Sequence, residues 1–255
     1  MENELNKPLF ELEQVFDVDD YLYFYSELLT EERNEAEVVN LVKLLELDHP
    51  LDILDLACGF GRHTNRLAVM GHRMTGVDLM EGFLDLARKD AADRGVQVRY
   101  QQGDMRQTDY QNEFDRVMIL FTAFGYFEDE DNLRVLKNVK NALRPGGLFI
   151  TDSMNRDGFL KNFQPIHVTE KDSDLMIDRI SFDSMSGWMH NQRIFIRKGV
   201  RKDKPFKVRI YNPNEFADLL IRAGLEVVGM YGGFDAQPVS IDSRRLVVLA
   251  RKPGE

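Results

Sequence analysis

The run Leu51-Asp52-Ile53-Leu54-Asp55-Leu56-Ala57-Cys58-Gly59-Phe60-Gly61-Arg62 sets an apolar strand before a glycine turn and the start of a helix. Glycines at such a turn let the backbone come close to a ligand, in the crevice at the carboxyl ends of the strands. The spacing Gly59-Phe60-Gly61-Arg62-His63-Thr64 lacks the third glycine of the dinucleotide fingerprint, and with it the tight helix packing that accompanies pyrophosphate binding. An oxidoreductase using a nicotinamide or flavin dinucleotide is therefore the second reading of this turn. Two more acids follow strand-like runs, Asp78 in Gly76-Val77-Asp78-Leu79 and Asp104 in Gly103-Asp104-Met105-Arg106. No Ser/His/Asp or Cys/His nucleophile arrangement can be read. The single cysteine, Cys58, reads as a small buried residue beside the turn, and no Cys/His spacing suits a metal.

The elements that must position these residues alternate. Strands are expected over 51–57, 73–77, 97–101, 116–121 and 148–152, with helices over 62–69, 83–93 and 131–143 between them. Alternation of this kind means parallel βαβ units in a doubly wound sheet. Residues 20–47 carry Val38, Leu41, Val42 and Leu45 at helical spacing and predict an N-terminal helical cap. Between Phe163 and Tyr211 the apolar period falls to two, which predicts an inserted antiparallel sheet. Asn212-Pro213-Asn214-Glu215 then opens a helix ending at Gly224, and two last strands follow over 225–230 and 246–251.

With 255 residues the chain has room for one large core. Its 33 Lys and Arg against 43 Asp and Glu repel a phosphate backbone, so nucleic acid is not an expected partner. The acidic, polar start Met1-Glu2-Asn3-Glu4-Leu5 is unlike an export signal, and no apolar run approaches the ~20 residues needed to span a bilayer. A cytoplasmic protein without membrane contact is expected, as monomer or homodimer. The stretch from Arg193 to Arg209 holds eight basic residues against Asp203 alone, which suits either an anionic ligand or a solvated hairpin.

Asp55 before the Gly59-Phe60-Gly61 turn, Asp78 ending the second strand, and Asp104-Met105 after the third together resemble the class I S-adenosylmethionine-dependent methyltransferases, of the small-molecule type. The fourth-strand run Phe114 to Phe121 and the Leu143-Arg144-Pro145-Gly146-Gly147 turn are similar to further motifs of that family. The resemblance implies S-adenosyl-L-methionine as cofactor. It implies that Asp55, Ala57, Gly59 and Gly61 form the turn beneath it, that Asp78 accepts from the ribose hydroxyls, that Asp104 and Met105 stand near the adenine, and that Leu79 and Phe121 are further cofactor contacts. A carboxylate suits a vicinal diol because it accepts twice. Tyr21 to Tyr25 and Arg33 would close over the methionine end, with Tyr25 and Arg33 as contacts.

Methyl transfer needs alignment and exclusion of water more than an activated nucleophile. His190 and His63 are the candidate bases and Tyr126 the candidate polar contact, and Trp188 could wall the acceptor site. The expected protein is an α/β seven-stranded mixed sheet, doubly wound, its last strand antiparallel. It divides into a helical cap (1–48), a Rossmann-like core (49–160), an antiparallel lid (161–211) and the end of the core (212–255). The expected reaction is methyl transfer to a small molecule, nitrogen preferred over oxygen. A dinucleotide oxidoreductase and a non-catalytic ligand-binding protein on the same fold are the alternatives.

Overall fold

The structure, a computed structural model, describes residues 12–254. The acidic start of the chain and the first eleven residues of the helical cap lie outside the described residues. Three helices come first: α1 (Leu12–Val15), α2 (Val18–Tyr25) and α3 (Glu31–Leu44). The helical cap expected over 20–47 is thus built of two α-helices, α2 and α3. Thr30 starts the second one, its Oγ1 accepting from the Arg33 N–H at 3.3 Å, and a capped start at that point ends continuity with α2.

The core alternates as expected, through β1 (Asp52–Leu56), α4 (Thr64–Val69), β2 (Arg73–Asp78), α5 (Glu81–Asp93), β3 (Arg99–Gln102), β4 (Phe114–Ile119), α6 (Asp129–Ala142), β5 (Leu143–Met154) and α7 (Arg156–Lys161). It closes with α8 (Pro213–Ala223), β10 (Glu226–Tyr231) and β11 (Arg245–Arg251). Seven strands form one sheet in the order β10-β11-β5-β4-β1-β2-β3. The pairs from β5 to β3 are parallel, and β11 runs antiparallel to both its neighbours.

Side-chain alternation explains the two helical layers. Leu54 and Leu56 of β1 face Val135 and Leu136 of α6 and Phe216 and Leu220 of α8, whereas Ile53 faces Val38 and Leu41 of α3 and Leu67 of α4. The fifth strand begins earlier than the apolar run 148–152 suggests. Lys252 extends its ladder across the Pro145-Gly146-Gly147 turn, exchanging bonds of 3.0 and 2.9 Å with Gly146 and Gly147. At α8 the capping box is complete, with Asn212 Oδ1 accepting from Glu215 N–H and Glu215 Oε2 accepting from Asn212 N–H.

Between α7 and α8 lies a separate antiparallel sheet, β6 (Ile166–Lys171), β7 (Asp174–Asp183), β8 (Trp188–Arg197) and β9 (Val200–Arg209), in sequence order. Its docking to the N-terminal helices is mixed. Phe24 of α2 stacks on Phe195 at 5.3 Å, and buried Asp20 accepts from Arg197 and Lys202 at 2.9 and 2.7 Å. Among the described residues no helix is long and apolar enough to cross a membrane, and no cluster of His, Cys, Asp and Glu could hold a metal ion.

Candidate active site

At the carboxyl end of β1 the backbone turns through three positive φ values, +56° at Ala57, +55° at Gly59 and +76° at Gly61. The two glycines serve different purposes. A Cβ on Gly59 would meet no protein atom within 4 Å, so that position opens on the cleft above the sheet. A Cβ on Gly61 would collide with the Tyr100 hydroxyl and press on Ala87 and Asn65, so Gly61 is small to admit its neighbours. Thr64, standing where a dinucleotide fingerprint would need its third glycine, donates its hydroxyl to Asp55 Oδ2 at 2.6 Å. A hydroxyl-bearing side chain therefore fills the space that close helix–strand packing would use.

Asp78 braces the turn from the next strand. Its Oδ2 accepts from the Gly59 N–H at 2.7 Å and its Oδ1 from the Met80 N–H at 2.9 Å. Burial raises the Asp78 carboxyl above the usual range, and these backbone bonds oppose the rise. Burial pushes Asp55 up to about 7, against the Thr64 bond and the Arg62 charge. Asp104 is engaged differently, in a fork to Arg106 at 2.6 and 2.9 Å, with the Arg106 guanidinium 4.3 Å over the Phe127 ring. The Cys58 thiol is pushed well up by burial and stays protonated.

These ends border a cleft. Asp55, Ala57, Gly59, Asp78, Leu79, Asp104, Met105, Phe121 and Tyr126 all line it. Gly61, Tyr25, Arg33 and His190 do not. Gly61 lies beneath the turn against Tyr100, and Tyr25 sits one layer back, its ring stacked on Tyr21 at 4.7 Å. His190 is an exposed residue of β8 paired with Ser181 and Lys207, on a face that period-two alternation turns outward. Trp188 is also absent from the lining; it is buried, with the Lys207 Nζ 4.1 Å from its ring centroid.

The arginine at the cleft is Arg62 and not Arg33. Arg33 is half exposed and donates to Glu37, one turn along α3, at 2.9 Å. Arg62 is buried, donates to Asn34 Oδ1 at 2.8 Å and Glu37 Oε2 at 2.5 Å, and lies 4.8 Å over the Phe121 ring. Burial would raise the Glu37 carboxyl, but hydrogen bonding from His63 and the Arg62 charge hold it far below the usual range. His63 also lines the cleft, yet burial and the Arg62 charge lower it to about 4 while its Nε2 is 2.9 Å from Glu37. It is a neutral, occupied imidazole near neutral pH. The adjacency of Arg62 to the Gly59-Phe60-Gly61 turn was the signal that sequence reasoning passed over.

The roof of the cleft comes from α1, α2 and the segment after β4. Phe121 and Thr122 there hold φ values of +61° and +60°, a costly conformation for side chains of this size. Asp152 fixes both, its Oδ1 accepting from the Phe121 N–H at 2.6 Å and its carbonyl from the Thr122 N–H at 3.1 Å. Arg245 pairs with the Asp152 carboxylate and donates to Thr122 Oγ1 at 2.8 Å.

The chain matches a family model described as a methyltransferase domain over residues 53–147. It is 28% identical over 208 residues to the protein named as methyltransferase YqeM of Bacillus subtilis strain 168, covering 78% of this chain and 83% of that one. The dTDP-4-amino-2,3,4,6-tetradeoxy-D-glucose N,N-dimethyltransferase of Saccharopolyspora spinosa is 28% identical over 199 residues, 74% of this chain and 77% of its own. An S-adenosylmethionine-dependent methyltransferase from Clostridium acetobutylicum ATCC 824 shares the fold, with a TM-score of 0.79 at 20% identity over 92% of this chain and 99% of that one.

Proposed function

The chain belongs to the class I S-adenosylmethionine-dependent methyltransferases, and from that premise we propose that it works in the cytoplasm on a small-molecule acceptor, at nitrogen in preference to oxygen. The observation that carries the reading is Gly59, open to the cleft while its N–H is tied to the buried Asp78 carboxylate. S-adenosylmethionine, when bound, supplies a methyl group already activated on a sulfonium.

The residues fit that cofactor. Asp78 keeps lone pairs beyond the two backbone bonds and would accept from the ribose hydroxyls. Met105, and Asp104 to the extent that Arg106 leaves it available, would flank the adenine. Arg62 would pair with the cofactor carboxylate, and Phe121 beneath it keeps the guanidinium plane in place. The four-stranded sheet would act as the substrate lid, reaching the roof where Phe206 of β9 lies 6.2 Å from Tyr126. The N-dimethylating relative from Saccharopolyspora spinosa supports nitrogen as acceptor. So does the lining's histidine, which is already committed to Glu37 and is not free to serve a hydroxyl acceptor as base.

Calorimetric titration with S-adenosylhomocysteine and with NAD tests the cofactor seat. Binding of the first and none of the second is expected; tighter binding of NAD would sink the reading. An acceptor screen read by S-adenosylhomocysteine release should then find amines among its hits, and hydroxyl compounds alone would overturn the preference.

A further inference from the structure

We propose that the acceptor is an amine on an apolar body, seated as its ammonium against an aromatic wall made by Phe16, Tyr21 and Tyr126. The inference rests on the methyltransferase reading of the same cleft. The lining of the cleft has two chemically different parts.

The charged residues lining the cleft are Asp55, Arg62, Asp78 and Asp104, with the neutral His63 beside them, and all lie at or just after the ends of β1, β2 and β3. The opposite side is made of rings. Phe16 meets Tyr126 edge-on at 5.6 Å and Tyr21 at 6.3 Å, and Tyr21 meets Phe83 at 5.3 Å. Burial raises both phenols far above their ordinary value, so neither becomes a phenolate that could serve as a base near neutral pH.

The basic run of the four-stranded sheet does not line the cleft, and six of its eight cations are paired within the chain. Arg193 pairs with Asp178, Arg197 and Lys202 with Asp20, Arg201 with Asp203, Lys207 with Glu128 and Arg209 with Glu215. Those cations are spent on the chain's own carboxylates. An anionic acceptor laid against the rings would lose its water and gain no partner.

An amine suits the wall on chemical grounds. The bound ammonium first gives one proton to water; the nitrogen lone pair then forms the new bond to the methyl carbon, and the methyl–sulfur bond breaks with its electron pair left on sulfur. Positive charge is present at the start and has moved to nitrogen by the end. Ring faces are attractive to positive charge and need not reorganise as it moves.

The test uses the protein saturated with S-adenosylhomocysteine and three probes of one shape: cyclohexylmethylamine, cyclohexylmethanol and cyclohexanecarboxylate. By calorimetry at pH 8 the amine should bind about fivefold or more tighter than the alcohol, as expected for a cation over partly desolvated rings, with the carboxylate weakest. In the Phe16→Leu/Tyr126→Leu variant, which keeps apolar volume without the π faces, that advantage should fall below about twofold, while Tyr126→Phe should retain it. Phe16→Leu alone, at a half-buried position, should give an intermediate loss and covers the case in which the double variant is unfolded. The proposal is overturned if the carboxylate binds as well as the amine, if leucine leaves the advantage intact, or if none of the probes binds. Failure of S-adenosylhomocysteine to bind the wild-type protein would instead sink the cofactor reading.

Discussion

On the floor of the cleft Asp55 finds its partner nine residues away at Thr64, and Asp78 finds the Gly59 N–H nineteen residues away. On the roof Asp20 reaches Arg197 and Lys202 across 177 and 182 residues. The floor is thus fixed by a strand, a turn and one helix start that cannot move apart, and its acceptor atoms are in position before any ligand arrives. The roof is assembled from segments far apart in the chain, joined by rings and ion pairs whose cations are partly exposed, and it can loosen without unfolding the sheet. A binding surface that must be constant and one that must admit a variable partner are here built by different means.

The contrast is broken most severely at Gly61. Gly61→Ala would strain a residue at φ +76° and drive a methyl group into Tyr100, costing roughly 2–5 kcal/mol. Urea unfolding should show this loss, and a change below about 1 kcal/mol would mean that the floor can give way. Asp78→Ala comes next. It leaves the fold standing and should weaken S-adenosylhomocysteine by about 1.5–3 kcal/mol, whereas Asp104→Ala, at a carboxylate already shared with Arg106, should cost less. Equal losses in calorimetry would remove the distinction between the two acids.

On the roof, Asp20→Ala leaves Arg197 and Lys202 without their shared carboxylate. The partners' exposure limits the cost to about 1–2 kcal/mol, and limited proteolysis around residues 26–30 should quicken while cofactor affinity barely changes. A fall in cofactor affinity as large as that of Asp78→Ala would show that floor and roof are one unit.

Proton linkage sharpens the comparison because the two sides respond in opposite senses. Asp55 titrates at about 7 in the folded protein, above its unfolded value, so its contribution is greatest in acid and is lost as pH rises from about 4 to 7. Burial works against Asp20, but its bonds to Lys202 and Arg197 hold it below the usual range. Its contribution is present above the unfolded value and lost only as pH falls through the lower folded one. His63, lowered to about 4, loses stability as pH falls below its unfolded value and opposes Asp55 in the same window. The difference between wild type and Asp55→Asn isolates the floor: the wild type should gain melting temperature on the variant between pH 7 and 5. A flat difference would mean that Asp55 is not protonated there.

The smallest effect is expected at Arg33. Arg33→Ala removes an exposed bond one helical turn long, worth about 0.3–0.5 kcal/mol. Arg62→Ala should weaken S-adenosylhomocysteine more than adenosine, since only the former has a carboxylate. The reverse ranking would return that role to α3.

The sequence displayed the floor because strand, turn and acid lie within a few residues, and alternation of period two against 3.6 locates the strands that carry Asp55, Asp78 and Asp104. The seven-stranded mixed sheet with its antiparallel last strand and the inserted sheet were legible for the same reason. The break at Thr30 was not, since helical spacing continues across it and only the cap reveals the new start. Nor was the substitution of Arg62 for Arg33, which depends on α3 crossing the first turn of α4. His190 and Trp188 carry chemistry-bearing side chains, yet their strand presents them away from the cleft, and pairing across the four-stranded sheet decides that.

Phe121 and Thr122 bear on how this protein can diverge. A branched residue at φ +60° survives at 122 because its hydroxyl is held by Arg245 and its N–H by Asp152. Loss of Arg245 alone would leave the strained backbone held by Asp152 only, and loss of the hydroxyl alone would leave a half-buried guanidinium with one acceptor fewer. Glycine at 122 is the one replacement that removes the strain itself. In a lineage of related sequences the identities at 122 and 245 should therefore change together, with glycine as the intermediate through which the pair is released.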